Sequence, residues 1–171
     1  ECIVMEFVDG ETLESAVTSG KLTEDMVVKI ACQLLDAMEY MHAKHIVHRD
    51  IKPSNIMLTH RGGDVKLIDF GLSDSETFCV LKIPAGTRVY MAPEQLQPDA
   101  KSDPCADIFS FGKVLEYMAG AVHSKRLARI GQKCSDADHT HRPSDTDAVR
   151  SMLHSTGSRR VALNVVLMAV A

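Results

Sequence analysis

Several features are missing from this chain, and each absence narrows what it can be. Its five cysteines, Cys2, Cys32, Cys79, Cys105 and Cys134, lie far apart, and no C-x-x-C pair occurs. An odd, scattered set excludes a disulfide framework and fits reduced thiols in a cytoplasmic setting. A zinc site drawn from Cys134, His139 and His141 is short of a fourth ligand. No run of basic residues occurs and the formal charge is −4, so nothing points to nucleic acid as a partner. No G-x-G-x-x-G is present, nor any internal repeat or low-complexity tract. The 171 residues are enough for one domain with a real core.

What is present is concentrated in two short segments. His48-Arg49-Asp50-Ile51-Lys52-Pro53-Ser54-Asn55 is followed, fourteen positions after the Asn, by Asp69-Phe70-Gly71. Between them the apolar runs Ile56-Met57-Leu58 and Val65-Lys66-Leu67-Ile68 flank His60-Arg61-Gly62-Gly63-Asp64, which predicts a hairpin. With Gly62 as the centre of the turn, positions 55 and 69 are equally distant from it and face one another. An amide oxygen and a carboxylate then converge, with Asp50 nearby as a candidate general base. Mg²⁺ takes hard oxygen ligands, few of them from protein, so one Asp and one Asn suit a metal that also binds phosphate and water.

The rest reads as mainly helical. Val27, Ile30, Ala31, Leu34, Met38 and Met41 form a helical stripe over residues 24 to 43, with Thr23 as N-cap. A helix from about 104 to 119 is apolar around much of its circumference, through Ile108, Phe109, Phe111, Val114, Leu115 and Met118, as expected of one buried centrally. Ser144, with Asp147 three residues later, predicts a capping-box start to a last helix. The expected class is α+β, mainly α-helical, with small β-hairpins.

Taken together, these segments resemble eukaryotic-type serine/threonine protein kinases, of the bacterial kind. His48 to Asn55 resembles the catalytic loop, with Ile51 where Leu is commoner, and Asp69-Phe70-Gly71 the metal-binding motif. Ala92-Pro93-Glu94 is similar to the motif that closes the activation segment. Val4-Met5-Glu6-Phe7-Val8 resembles the last strand of the small lobe entering the hinge, and Gly86-Thr87-Arg88-Val89-Tyr90 the substrate-facing loop. Asp107 to Gly112 resembles the central buried helix, and Arg142-Pro143-Ser144 the segment before the last helix. The matches keep the family's order and cover residues 1–153, leaving 154–171 as a C-terminal tail.

The resemblance implies a kinase that transfers the γ-phosphoryl of ATP, with Mg²⁺ or Mn²⁺, to Ser or Thr of protein substrates. Asp50 would accept the proton of the attacking hydroxyl and Lys52 would neutralise charge on the transferred group. Asn55 and Asp69 would hold the metal. The backbone of Met5, Glu6 and Val8 would face adenine, with Met57 beneath it. Arg49 would pair with a phosphate on the activation segment, where Ser73, Ser75 and Thr77 are the candidate sites, while Thr87 would orient Asp50 and Lys52. Structural roles fall to His48 and Phe70, to a buried Glu94–Arg142 ion pair, and to Asp107 as acceptor of catalytic-loop N–H groups.

The sequence also departs from the family. Glu1 already falls in the resemblance to the fifth strand, so the small lobe is expected to be missing and these residues alone to be inactive. Only 29 residues lie between Gly112 and Arg142, which implies that the substrate-docking helix of that region is reduced or lost. After Arg159-Arg160 comes an apolar-biased run over residues 161–171, too short to cross a bilayer, which needs about twenty residues. A truncated membrane anchor on the inner face of a membrane, a packed terminal element and a disordered end all remain open for it. Two functions compete: an active protein kinase, and a pseudokinase or scaffold lobe that binds partners. Retention of Asp50, Lys52, Asn55 and Asp69 favours the enzyme, because a scaffold has no physical need to keep all four groups converging.

Overall fold

The computed structural model of the chain describes residues 6–69, 88–96 and 103–155. The expectations placed on Met5, Phe70, Ser73, Ser75, Thr77 and Thr87, and on the tail after residue 155, lie outside them. Helices dominate, and a three-stranded antiparallel sheet runs in the order β1-β2-β3. Its strands are β1 (Gly10–Thr12), β2 (Ile56–Thr59) and β3 (Val65–Leu67). β2 lies between the others and alternates buried Ile56 and Leu58 with half-buried Met57 and Thr59, the period of two expected of a sheet with one covered face.

The hairpin is real, but its centre is half a residue from where the sequence alone put it. Ile56 pairs with Leu67, Met57 with Lys66 and Leu58 with Val65. The midpoint therefore falls between Arg61 and Gly62, and Asn55 is opposite Ile68, whose N–H donates to the Asn55 carbonyl at 2.9 Å. Asp69 is one position beyond that pair. The turn takes two successive left-handed residues, Gly62 (φ 90°) and Gly63 (φ 62°), a conformation glycine adopts without a Cβ penalty.

Helix α1 (Leu13–Thr18) follows β1 directly, capped by the Thr12 hydroxyl. Helix α2 (Glu24–His42) starts at Thr23, whose hydroxyl accepts from Met26 N–H, and buries all six residues of its expected stripe. Helix α3 (Pro104–Ala121) is capped by Asp103 and has Pro at its first position, where the missing N–H costs nothing. Helix α4 (Lys125–Cys134) and helix α5 (Thr146–Ser155) complete the set. The last helix does not start as a capping box on Ser144. The cap is Asp145, whose Oδ1 accepts from Ala148 N–H at 2.8 Å, while Ser144 Oγ donates to the other Asp145 oxygen. Asp is as good a cap as Ser, and here it stands one residue closer to the first turn.

One apolar core joins these elements. Leu34, Leu35 and Met38 of α2 meet Phe111, Leu115 and Met118 of α3, together with Leu127 of α4 and Val149 of α5. Each such side chain stabilises the fold by about 1.5–3 kcal/mol, well above helix propensity, so packing decides where the helices sit. The space between Gly112 and Arg142 holds α4, which lies so close to α3 that a Cβ on Gly112 would be 2.7 Å from the Gly131 carbonyl oxygen. Among the described residues no helix is long and apolar enough to cross a membrane. The cysteines described, Cys32, Cys105 and Cys134, are free. Cys134 is buried in the core, where desolvation pushes its thiol up to about 12.

Candidate active site

The loop from His48 to Asn55 leaves the end of α2 and enters β2, and its shape is imposed by a carboxylate more than fifty residues away. Asp107, in the first turn of α3 and fully buried, accepts the His48 N–H and the Arg49 N–H, one on each oxygen, both at 2.9 Å. His42, at the end of α2, donates from Nε2 to the same carboxylate at 2.9 Å. Two successive N–H groups can turn to one anion when one residue of the pair is left-handed, and Arg49 is, with φ 67°. A non-glycine residue there carries a strain of about 1–2 kcal/mol. Asp69 is also left-handed, with φ 65°, so both segments that carry candidate chemistry hold backbone strain, as functional sites often do.

His48 joins the two segments. Its Nδ1 accepts the Asp50 N–H at 3.3 Å, and its Nε2 lies 3.2 Å from the Ile68 carbonyl. That pattern assigns the neutral tautomer with the proton on Nε2. Burial pushes the imidazole below its ordinary value of 6.5, and the carboxylates of Asp107, Asp50 and Asp69 and the Ile68 carbonyl only partly oppose this.

Asp50 is almost fully buried, and one of its oxygens is held from two sides. Oδ2 accepts from Lys52 Nζ at 2.7 Å and from Asn55 Nδ2 at 2.8 Å. Asn55 Nδ2 also donates to the Asp50 carbonyl at 3.0 Å, which fixes the orientation of its amide. Asp50 Oδ1 and Asn55 Oδ1 make no hydrogen bond among the described residues. Because no fully buried side-chain oxygen there lacks a partner, both reach the surface. The candidate site therefore presents one open carboxylate oxygen and one open amide oxygen.

The donor set suits a phosphate-bound divalent metal. No cluster of three His, Cys, Asp or Glu among the described residues could hold a metal unaided. The Ile68–Asn55 backbone hydrogen bond sets Asn55 opposite the residue before Asp69, and an amide oxygen with a carboxylate is the kind of hard-oxygen pair that such a metal takes, the remaining positions going to phosphate and water. Of the residues expected near adenine, Met57 is half-buried in the central strand opposite Lys66. Lys66 Nζ reaches the exposed Glu6 carboxylate at 3.3 Å, and Val8 is half-buried.

Below the loop, Glu94 and Arg142 form a bidentate pair at 2.6 and 2.9 Å. All five guanidinium N–H groups are used: the other three go to the carbonyls of Asp136, Ala137 and Cys105. The Phe109 ring lies beneath, 4.9 Å away. Burial pushes the Glu94 carboxyl up, but the hydrogen bonds and charge of Arg142 outweigh it and hold the group below the ordinary carboxylate value.

Three further positioning residues escaped the sequence reading. Gln95 accepts the Ala92 N–H at 3.0 Å and points its Nε2 at the Arg49 carbonyl, 3.5 Å away. Ser110 donates to the Tyr90 carbonyl at 2.7 Å, tying α3 to the segment before Ala92. His42 is the third. A buried polar residue on an otherwise apolar helix face was the available signal for Ser110; Gln95 and His42 had none, because their partners lie 46 and 65 positions away.

Comparison with known proteins agrees with this geometry. The family described as the protein kinase domain matches residues 1–142. The chain is 41% identical over 119 residues to serine/threonine-protein kinase 36 of Pongo abelii, covering 68% of this chain and 9% of that protein. It is 42% identical over 117 residues to probable serine/threonine-protein kinase mkcB of Dictyostelium discoideum, covering 68% and 16%. A longer match, 33% over 156 residues, is to CBL-interacting serine/threonine-protein kinase 21 of Arabidopsis thaliana, covering 89% of this chain and 37% of that protein. The chain thus spans well under half the length of these relatives.

Proposed function

The chain belongs to the protein kinase domain family, and from that premise we propose that it is the large-lobe part of a serine/threonine protein kinase. The full-length protein would transfer the γ-phosphoryl of ATP to Ser or Thr of a protein substrate. The observation that carries the reading is the Asp50 carboxylate, with Oδ2 pinned by Lys52 and Asn55 and Oδ1 open. A carboxylate fixed on one side and open on the other is preorganised to take the proton of an incoming hydroxyl. Lys52, 2.7 Å from Asp50, would present its charge to the moving phosphoryl group.

Asn55 Oδ1 and the Asp69 carboxylate would hold Mg²⁺ or Mn²⁺, which when bound neutralises charge on the phosphate oxygens. The backbone of Met5, Glu6 and Val8 would line the adenine edge, over Met57. Arg49, whose guanidinium has no carboxylate partner among the described residues, would read a phosphate on Ser73, Ser75 or Thr77. The free thiols support a reducing, cytoplasmic setting.

The test is Asp50→Asn in the full-length protein, assayed on a Ser/Thr peptide. Turnover should fall about 10²–10⁴-fold, the usual worth of a positioned general base, with ATP affinity unchanged. Full turnover in that variant would remove Asp50 from the chemistry.

A further inference from the structure

We propose that the outer face of α4 is a docking strip for an acidic, extended segment of a partner protein. Lys125, Arg129 and Lys133 recur every four residues along this helix and all three are exposed. Its apolar residues Leu127, Ile130 and Cys134 are buried in the core. Four helical residues rise about 6 Å, so the cations form a row about 12 Å long. None of the three side chains has an ion pair or hydrogen bond among the described residues. By contrast Arg126 on the same helix lies 3.2 Å from Glu24, and Lys113 and Arg150 lie 3.1 and 2.8 Å from carboxylates.

The row is unfavourable for the helix that carries it. Like charges four residues apart repel, and Lys125 sits at the positive end of the helix dipole. α4 contains no acidic residue to offset either effect. An anion lying along the row relieves both, and this occurs in a chain whose net charge is −4.

The geometry favours an extended peptide. In an extended chain every second side chain faces the same way, about 6.6 Å apart, which is close to the spacing of the three cations. A segment with carboxylates at alternate positions can meet all of them. A membrane fits less well, because α4 has spent its apolar face on the core and has nothing to insert between lipids. The inference goes beyond the kinase reading and does not depend on it.

The experiment uses the full-length protein and a labelled alternating Glu–Ala peptide of about ten residues, long enough to cover the row. Anisotropy should show binding that weakens steeply as salt rises from about 0.05 to 0.5 M, as exposed charges are screened. The combined variant Lys125→Glu, Arg129→Gln, Lys133→Gln should bind about tenfold more weakly or worse. Its melting temperature should be unchanged or higher, since the repulsion and the dipole clash are both reduced. Equal peptide binding by the variant would overturn the proposal, as would preference for phosphatidylserine-containing vesicles over the peptide. A drop in melting temperature would overturn its electrostatic premise.

Discussion

His48 Nε2 lies 3.2 Å from the carbonyl oxygen of Ile68, so a neutral imidazole ties the loop that carries the candidate base to the residue before the candidate metal ligand. Its folded-state titration is depressed, chiefly by burial, below the ordinary 6.5. Below about pH 6.5 the unfolded chain binds a proton that the folded chain resists, so stability falls as the pH drops from there toward the folded value. Urea unfolding across that range should show a declining midpoint that flattens in His48→Phe. An identical pH slope in both proteins would remove His48 as the source.

The Glu94–Arg142 pair can be broken from the exposed side. Glu94→Ala leaves a fully buried guanidinium without its counter-charge, a change that costs about 3–5 kcal/mol when such pairs are cut. Chemical denaturation should show that loss, and Arg142→Lys should not restore the wild-type value, because an ammonium cannot make the fork. A loss below about 1 kcal/mol, the level of surface pairs, would show the pair to be solvated.

Two glycines of α3 should respond to alanine in opposite directions. At Gly112 a Cβ would meet the Gly131 carbonyl oxygen and the Ser135 nitrogen at 2.7 Å, whereas at Gly120 it would meet nothing within 4 Å. Gly120→Ala should raise stability by about 0.5–1 kcal/mol through helix propensity. Gly112→Ala gains the same propensity but forces backbone apart, a cost of about 1–3 kcal/mol, so it should be net destabilising. Thermal unfolding of the two variants side by side decides this, and a stabilised Gly112→Ala would show that the helices can separate freely.

Replacing the two candidate metal ligands should give related but unequal results. Asp69→Ala should abolish the Mg²⁺ dependence of nucleotide binding in the full-length protein. Asn55→Ala should weaken it and also lower turnover, because Nδ2 holds Asp50 as well. Calorimetric titration of ATP with and without Mg²⁺ reads the first effect. Undiminished metal dependence in Asp69→Ala would reassign the site.

If Arg49 reads a phosphate, activation and basal activity should separate. Autophosphorylated protein should be faster than phosphatase-treated protein, through charge-assisted hydrogen bonds to the guanidinium. Arg49→Ala should lose most of that gain and keep the basal rate. Equal stimulation of both proteins would refute the pairing.

The parts of the fold legible in the sequence were those set by local pattern. Thr23, the stripe from Val27 to Met41 and the Gly62-Gly63 turn follow from periodicity and backbone chemistry, and α2 and the hairpin were read from them. The strand at Gly10 and the short helix at Leu13 were not, because three strand residues carry no periodicity and the strand exists only through its pairing with β2. The register slipped by one because a two-glycine turn can be centred on either side of Gly62 until the strands are paired. Asp50, Asn55 and Asp69 could be singled out by residue type and order. Gln95, Ser110 and His42 could not, since their roles rest on partners that only the folded chain brings near.

The Asp107 carboxylate gives the loop its form, and so the eight residues from His48 to Asn55 are not a portable unit. Transplanted alone into another scaffold, they would carry the same side chains but relax away from the left-handed turn at Arg49. A designer who wished to move this chemistry would have to move a buried helix end with it, presenting an aspartate to two consecutive amides.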